Sequence, residues 1–471
     1  MRDFKKLFGV LLISTSLTSC GEMESSSPSD PQNSAVDLIF SEFTPETPGC
    51  AIAVDLDGNI VHKAAYGMGD FEQNIPLVPQ SVFYAASVSK QVVAMVVVLL
   101  DREGKIDLDA EIHTYIPEFQ DYGTPLTVRQ ILYHVSGIRD YFNLYALGGR
   151  LEGMVITEEK VMDLLSKQRG LNFIPGDKWA YSNSAYFLIS QVVKRVTGED
   201  MDVYAQENIF KPLGMSSTRF QHNHLRPIMG KAHGHAKQEN GEWLIADSLL
   251  DVVGSGGMYT TVEDLIKWDR NFYDNKLGTG QDMIDEMQTS GVLNDGSSTE
   301  YGLALNLKPY KGLKRVTHGG ALTGYRAMLQ RFPDQKFSVA LLCNSSEINS
   351  GEIANEVTDI YLSSLYSEEG EDVPQPEEKE KYMAPVGLDM DQYGGDFYSD
   401  EVENTINVQI AEDGSGILFP MFDDSVWILS AEDEFKHPEA PMFLNFVRDV
   451  DGNIVNFTYN GTRVMGVTFK K

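Results

Sequence analysis

Two runs of β-prone residues, Ala51 to Asp55 and Ile60 to Tyr66, flank an Asp57-Gly58 pair, and this pattern predicts a hairpin. A second hairpin is predicted far downstream, where Gly324 to Phe332 and Phe337 to Asn344 flank Pro333-Asp334-Gln335. The apolar spacing between them is mostly helical. Val161 to Gln168, Ala185 to Thr197 with Gly198 as a stop, and Val262 to Tyr273 read as helices. The apolar run that follows Ser87 and ends at Leu100, with Gly104 beyond it, is valine-rich, which favours strand by propensity. The stretch between Ser87 and Gly104, about sixteen residues without a turn signal, exceeds the usual strand and predicts a helix. Strands at both ends with helices between predict an α/β (α+β) unit, an antiparallel sheet flanked by helices, rather than regular βαβ alternation.

Two polar stretches mark boundaries. Residues 21–34 lack apolar periodicity and are rich in Ser, Pro and acid, which predicts a flexible tether. From Ser367 to Lys381 only Val373 is apolar, which predicts an acidic linker over 367–383 between a unit at 35–366 and a second at 384–471. That second unit has β-like runs at Asn404 to Ile410, Val426 to Leu429, Met442 to Arg448, Ile454 to Tyr459 and Thr462 to Phe469. Asp451-Gly452 and Asn460-Gly461 separate the last three, so a small antiparallel β-barrel or sandwich is expected, with the barrel preferred. At the start, Arg2, Lys5 and Lys6 precede an apolar Leu7 to Leu17, too short to span a bilayer, and residues 1–20 read as an export signal.

Composition narrows the function classes. The 471 residues carry a formal charge of −31, a surface that repels nucleic acid and anionic lipid. Apolar residues make up 42% of the chain, enough for large cores. With Cys20 set apart at the end of the export signal, only Cys50 and Cys343 remain, and two buried thiols are expected rather than a disulfide. His222, His224, His233 and His235 match no standard zinc spacing and are expected to be loop histidines.

Three segments carry chemistry. In Phe83-Tyr84-Ala85-Ala86-Ser87-Val88-Ser89-Lys90, the predicted helix places Ser87 at its N-terminus and Lys90 one turn later on the same face. Free N–H groups there favour negative charge, and a partly desolvated Lys can take the proton of a Ser hydroxyl. In Trp179-Ala180-Tyr181-Ser182-Asn183, an extended loop before a helix expected from Ala185 points Tyr181 and Asn183 the same way. The Asn183 amide is expected to orient Lys90 and to donate to a substrate carbonyl. In Thr317-His318-Gly319-Gly320-Ala321-Leu322-Thr323-Gly324, the glycines admit close backbone approach, and the Ala321 amide can join that of Ser87 in an oxyanion hole.

Ser87-x-x-Lys90, Tyr181-x-Asn183 and His318-x-Gly320, in this order, resemble the motifs of the serine β-lactamase and penicillin-binding protein superfamily, in its class C-like branch. Leu132 to Gly137 and Gly254 to Thr261 also match, so the resemblance covers about residues 35 to 365. It implies a cleft between an all-helical region and the sheet, with Ser87 at its base. It further implies an acyl-enzyme on Ser87, proton transfer shared by Lys90 and Tyr181, substrate contacts from Asn183, His318, Gly319 and Gly320, and no metal or cofactor. Leu17-Thr18-Ser19-Cys20 resembles the bacterial lipobox, which implies acylation of Cys20 and an exported chain held to the membrane by lipid alone. The third motif departs from β-lactamases in carrying His318 where Lys is usual, a weaker carboxylate anchor. Relatives with His there include D-aminopeptidase-like and esterase-like enzymes, some with a C-terminal β-barrel. An ester, a small amide or a D-amino-acid peptide is therefore the expected substrate, ahead of a β-lactam or D-Ala-D-Ala.

Overall fold

A computed structural model describes residues 31–367 and 388–471, apart from residues 152, 279, 422 and 423. The segment read as an export signal, Cys20 and nearly all of the expected acidic linker lie outside the described residues. Residues 31–34, expected in the tether, are instead helical. Pro31 is the first described residue of this helix.

The first predicted hairpin forms as β1 (Cys50–Leu56) and β2 (Asn59–Tyr66). Asp57 and Gly58 both take positive φ, 50° and 79°, as a tight two-residue turn requires. From the far end come β3 (Val316–Leu322), β4 (Tyr325–Phe332) and β5 (Phe337–Cys343). The five form one antiparallel sheet in the order β3-β4-β5-β1-β2. The main helices are α1 (Pro31–Ile39), α2 (Lys90–Arg102), α3 (Asn183–Thr197), α4 (Val262–Arg270) and α5 (Ser350–Leu362). Alternation along the central strands sends Ile52, Val54, Val339 and Leu341 to a core shared with α1 and α5. Ala51, Ala53, Ala340 and Leu342 face the opposite core, where α4 packs on β1 and β5.

The expectation of two free thiols is corrected: Cys50 and Cys343 form a disulfide. Register is the reason. β1 and β5 pair with Cys50 directly opposite Cys343, their Cα atoms 4.0 Å apart, a proximity between residues 293 positions apart that appears only once the sheet is assembled.

The valine-rich run is helical because it is buried on every side: each residue of α2 from Lys90 to Leu100 is buried, and packing overrides β-propensity. With α3 and the short helices Val128–Leu132, Tyr141–Leu147 and Glu158–Ser166, it builds the helical region beside the sheet. The C-terminal unit is a closed antiparallel barrel of eight strands. The strands Gly395–Ser399, Ile417–Leu418 and Glu434–Lys436 add to the five expected, and Phe397, Phe446, Phe457 and Trp427 fill the interior.

The barrel is clamped to the helical region by polar contacts. Buried Arg139 donates to Glu401 at 2.6 Å, to Gln168 at 3.0 Å and to the Met465 carbonyl at 2.9 Å. Asn172 donates to the Arg463 carbonyl and accepts from the Met465 amide.

Candidate active site

Ser87 lies in a single 3-10 turn, Ala86–Ser89, that leads into α2 and packs against edge strand β3. Its amide is among the first of the helical segment, where no intrahelical carbonyl is available to it. Ala86, just before it, is held at φ 47°, a left-handed conformation unusual for a side-chain-bearing residue and adjacent to the reacting group. Gly320 on β3 is pressed against this turn: a Cβ there would meet the Ala85 carbonyl oxygen at 2.3 Å and the Ser87 nitrogen at 3.2 Å. Glycine at 320 is thus what lets β3 lie against the Ser87 turn.

Lys90 is completely buried, and its amine sits 3.1 Å from Ser87 Oγ. It also donates to Asn183 Oδ1 at 2.9 Å and to the Ser255 carbonyl at 2.5 Å. Burial drives its pKa well below the usual lysine range; Asp140 works against that and Arg463 adds to it. Asn183 is itself fixed. Asp140 Oδ2 accepts from its backbone N–H at 2.6 Å and from its amide nitrogen at 2.8 Å, which turns Oδ1 toward Lys90. One of the two N–H groups of its side-chain amide is thereby engaged by Asp140, and Asn183 lines the cleft. Ser182 caps α3 by accepting from Ala185, so the helix starts at Asn183, two residues before the predicted start.

The Lys90 amine lies 4.9 Å from the centre of the Tyr181 ring. The Tyr181 hydroxyl is buried without a well-formed hydrogen bond in this state. Burial pushes its pKa up, opposed by the neighbouring Ser87 hydroxyl and by Arg463. His134, in the segment Leu132 to Gly137, supports this loop: its Nδ1 accepts from the Ser182 amide at 3.2 Å and its ring lies 4.5 Å from that of Tyr181. Burial, then the Lys90 charge, lowers the His134 pKa well below normal.

His318 Nδ1 lies 2.6 Å from the Gly319 carbonyl, which can only accept, so the proton is assigned to Nδ1. Nε2 then accepts from the Tyr301 hydroxyl at 3.0 Å. Burial first and the Lys90 charge second lower its pKa to about 4, so the ring is neutral at pH 7 with both nitrogens engaged. His318 lines the site as expected but offers no cation.

Ser87, Tyr181, Asn183, His318, Gly319, Gly320 and Ala321 line one cleft of about 770 Å³. Phe142 and Leu151 from the helical region and Arg463 from the barrel also line it. Asp140, Ser255, Tyr301 and Arg463 were not singled out from sequence. Asp140 had a signal, an Asp placed to cap the helix Tyr141–Leu147, whose N–H groups it accepts. Arg463 had none, since its approach depends on how the barrel docks. The remaining histidines disperse: His222, His224 and His233 face Asp202, Asp251 and Asp247 respectively. Among the described residues no cluster of His, Cys, Asp and Glu is placed to hold a metal ion.

Residues 36–361 match the family model described as Beta-lactamase. The chain is 26% identical to penicillin-binding protein 4* of Bacillus subtilis over 309 residues, 62% of this chain and 66% of that one. It is 27% identical to a D-aminopeptidase of Brucella anthropi over 323 residues, 68% of this chain and 61% of that protein. These alignments thus span less than two thirds of the relatives' own length. The octameric penicillin-binding protein homologue from Pyrococcus abyssi superposes with a TM-score of 0.62 over 93% of this chain and 99% of its own, at 20% identity. That likeness extends the shared fold through the barrel. With a serine, a buried lysine and a tyrosine assembled on one cleft and the family model matched across the whole catalytic unit, the chain belongs to the β-lactamase family of serine hydrolases.

Proposed function

We propose that this chain hydrolyses an ester or a small amide, of the D-amino-acid peptide type, through an acyl-enzyme on Ser87. The observation that carries the reading is the buried Lys90 amine 3.1 Å from the Ser87 hydroxyl. An amine whose ammonium form is disfavoured by burial can accept the Ser87 proton, whereas the Tyr181 phenol, pushed up, keeps its proton. Ser87 Oγ adds to the carbonyl carbon as its proton moves to Lys90, and the oxyanion is met by the Ser87 and Ala321 amides. The bond to the leaving group breaks as that group takes a proton from Tyr181, which is replenished from Lys90. Water then adds to the ester carbonyl, giving its proton through Tyr181 to Lys90. The Ser87–acyl bond breaks, and Ser87 Oγ recovers the proton.

The relatives named penicillin-binding protein and D-aminopeptidase support an amide substrate, and neutral His318 disfavours a substrate anchored at motif three by its carboxylate. Export with a lipid on Cys20 is part of the proposal, and the Cys50–Cys343 bridge is in keeping with an oxidising compartment. A panel of p-nitrophenyl esters, D-amino-acid p-nitroanilides and nitrocefin, run on wild type and Ser87→Ala, tests it. Turnover confined to the ester or D-anilide class and lost in Ser87→Ala is expected; dominant nitrocefin turnover would overturn the substrate reading.

A further inference from the structure

The backbone of the Tyr181 loop is tied to one residue. The amide of Ala180 donates to the His134 carbonyl at 2.9 Å, and the amide of Ser182 donates to His134 Nδ1 at 3.2 Å. These are the two residues that flank Tyr181 in the chain. His134 itself stands at φ 59°, a left-handed conformation that a side-chain-bearing residue keeps only where its surroundings hold it, and both of its acceptors serve the same loop from there. Its ring is enclosed by Trp179, Tyr181, Tyr186 and Tyr301, with centre-to-centre distances of 6.1, 4.5, 5.1 and 5.2 Å. Two of those rings belong to the loop, one to α3 and one to the residue that donates to His318.

An apolar side chain could fill the same space, but it could not accept from Ser182. Because the Ser182 N–H is a donor, Nδ1 is unprotonated, which assigns the ring proton to Nε2. Nε2 meets no acceptor among the described residues, so the Ser182 bond is the ring's single polar contact there. His134 is completely buried and does not line the Ser87 cleft, so it reaches the chemistry only through the loop. We propose that His134 is a positioning residue for Tyr181: by accepting from the amides before and after it, His134 holds the phenol where it can hand its proton to the departing group. This rests on the acyl-enzyme reading given above, in which Tyr181 protonates the leaving group. A loop released to drift by about 1 Å would leave Ser87 and Lys90 in place and weaken that one proton transfer.

The test is the dependence of kcat/KM on the leaving group, measured with p-nitrophenyl, phenyl and ethyl acetate, which form the same acetyl-enzyme. Nitrophenolate leaves without a proton, whereas ethoxide needs one. His134→Ala removes the side-chain acceptor. His134→Asn puts an amide oxygen where Nδ1 stood and suits the left-handed backbone, whereas His134→Gln carries the same amide one carbon too far. An uncharged fluorophosphonate reports whether Ser87 is intact in each. We expect His134→Ala and His134→Gln to lose about 10- to 100-fold more on ethyl acetate than on p-nitrophenyl acetate, and His134→Asn to stay near the wild-type dependence. The comparison of Asn with Gln decides the matter even if the alanine variant does not fold. Losses equal on all three esters, or Asn and Gln variants that behave alike, with Ser87 still labelled, would overturn the positioning role and leave the hydrolase reading standing. Wild type that neither hydrolyses any of the three esters nor takes the label would overturn both.

Discussion

Glu401→Gln removes the negative half of a buried ion pair that holds the barrel to the catalytic unit. The side chains of Arg139 and Glu401 are only 4% and 5% exposed. Leaving one charge of such a pair uncompensated costs about 3–5 kcal/mol. Two features place this case near the lower end. Arg139 keeps Gln168 and the Met465 carbonyl, and the new amide oxygen can still accept either from Arg139 or from the Arg169 amide that shares Glu401 Oε2 at 2.8 Å. A loss of about 3 kcal/mol is therefore expected for the transition that releases the barrel. Equilibrium urea unfolding of the full chain at pH 7, followed by tryptophan fluorescence, measures it. Because Arg139 grips Met465, two residues from Arg463, turnover should fall before the catalytic unit unfolds. A loss below about 1 kcal/mol, the range of exposed pairs, would show that the clamp is solvated and the reasoning wrong. Replacing both partners by apolar residues, Arg139→Met with Glu401→Leu, should recover part of the loss.

Further outcomes follow from the same geometry. The His318 pKa of about 4 lies below the free value of 6.5, so the unfolded chain binds more protons between these limits. Its stabilising contribution is therefore complete above pH 6.5 and falls by up to about 3 kcal/mol as the pH drops to 4, which urea midpoints across that window should show and His318→Gln should flatten. In the proposed mechanism neutral Lys90 accepts the proton, and on that reading kcat/KM should rise with pH as the amine deprotonates. Lys90→Met should lose that limb and about 10²- to 10⁴-fold of the rate, read from a pH–rate profile. Reduction of the Cys50–Cys343 bridge, or Cys50→Ala with Cys343→Ala, should destabilise the catalytic unit by about 2–5 kcal/mol in the same unfolding assay without changing the chemistry at Ser87.

Local signals carried much of the fold. Asp57-Gly58 and Gly198 terminate elements where their backbone demands, and the Ser87 run was recoverable as a helix by length despite its valines. What could not be read was register and docking. The Cys50–Cys343 bridge depends on β1 pairing with a strand nearly three hundred residues away, and no local pattern encodes that partner. Two of the added barrel strands, Ile417–Leu418 and Glu434–Lys436, carry too few residues for alternation to register. In the site, the motif residues were visible because their chemistry is distinctive. Asp140 and Ser255 act through backbone and amide contacts that any polar residue in a turn can resemble. Arg463 belongs to a turn whose partner surface is supplied by another domain, and its place at the cleft exists only in the assembled molecule.

The central claim is tested most directly by intact-mass spectrometry of the protein mixed briefly with p-nitrophenyl acetate, followed by peptide mapping. One acetyl group should appear on the peptide containing Ser87, decay as product forms, and be absent in Ser87→Ala. An acetyl group carried by another residue, or undiminished turnover in Ser87→Ala, would contradict the account.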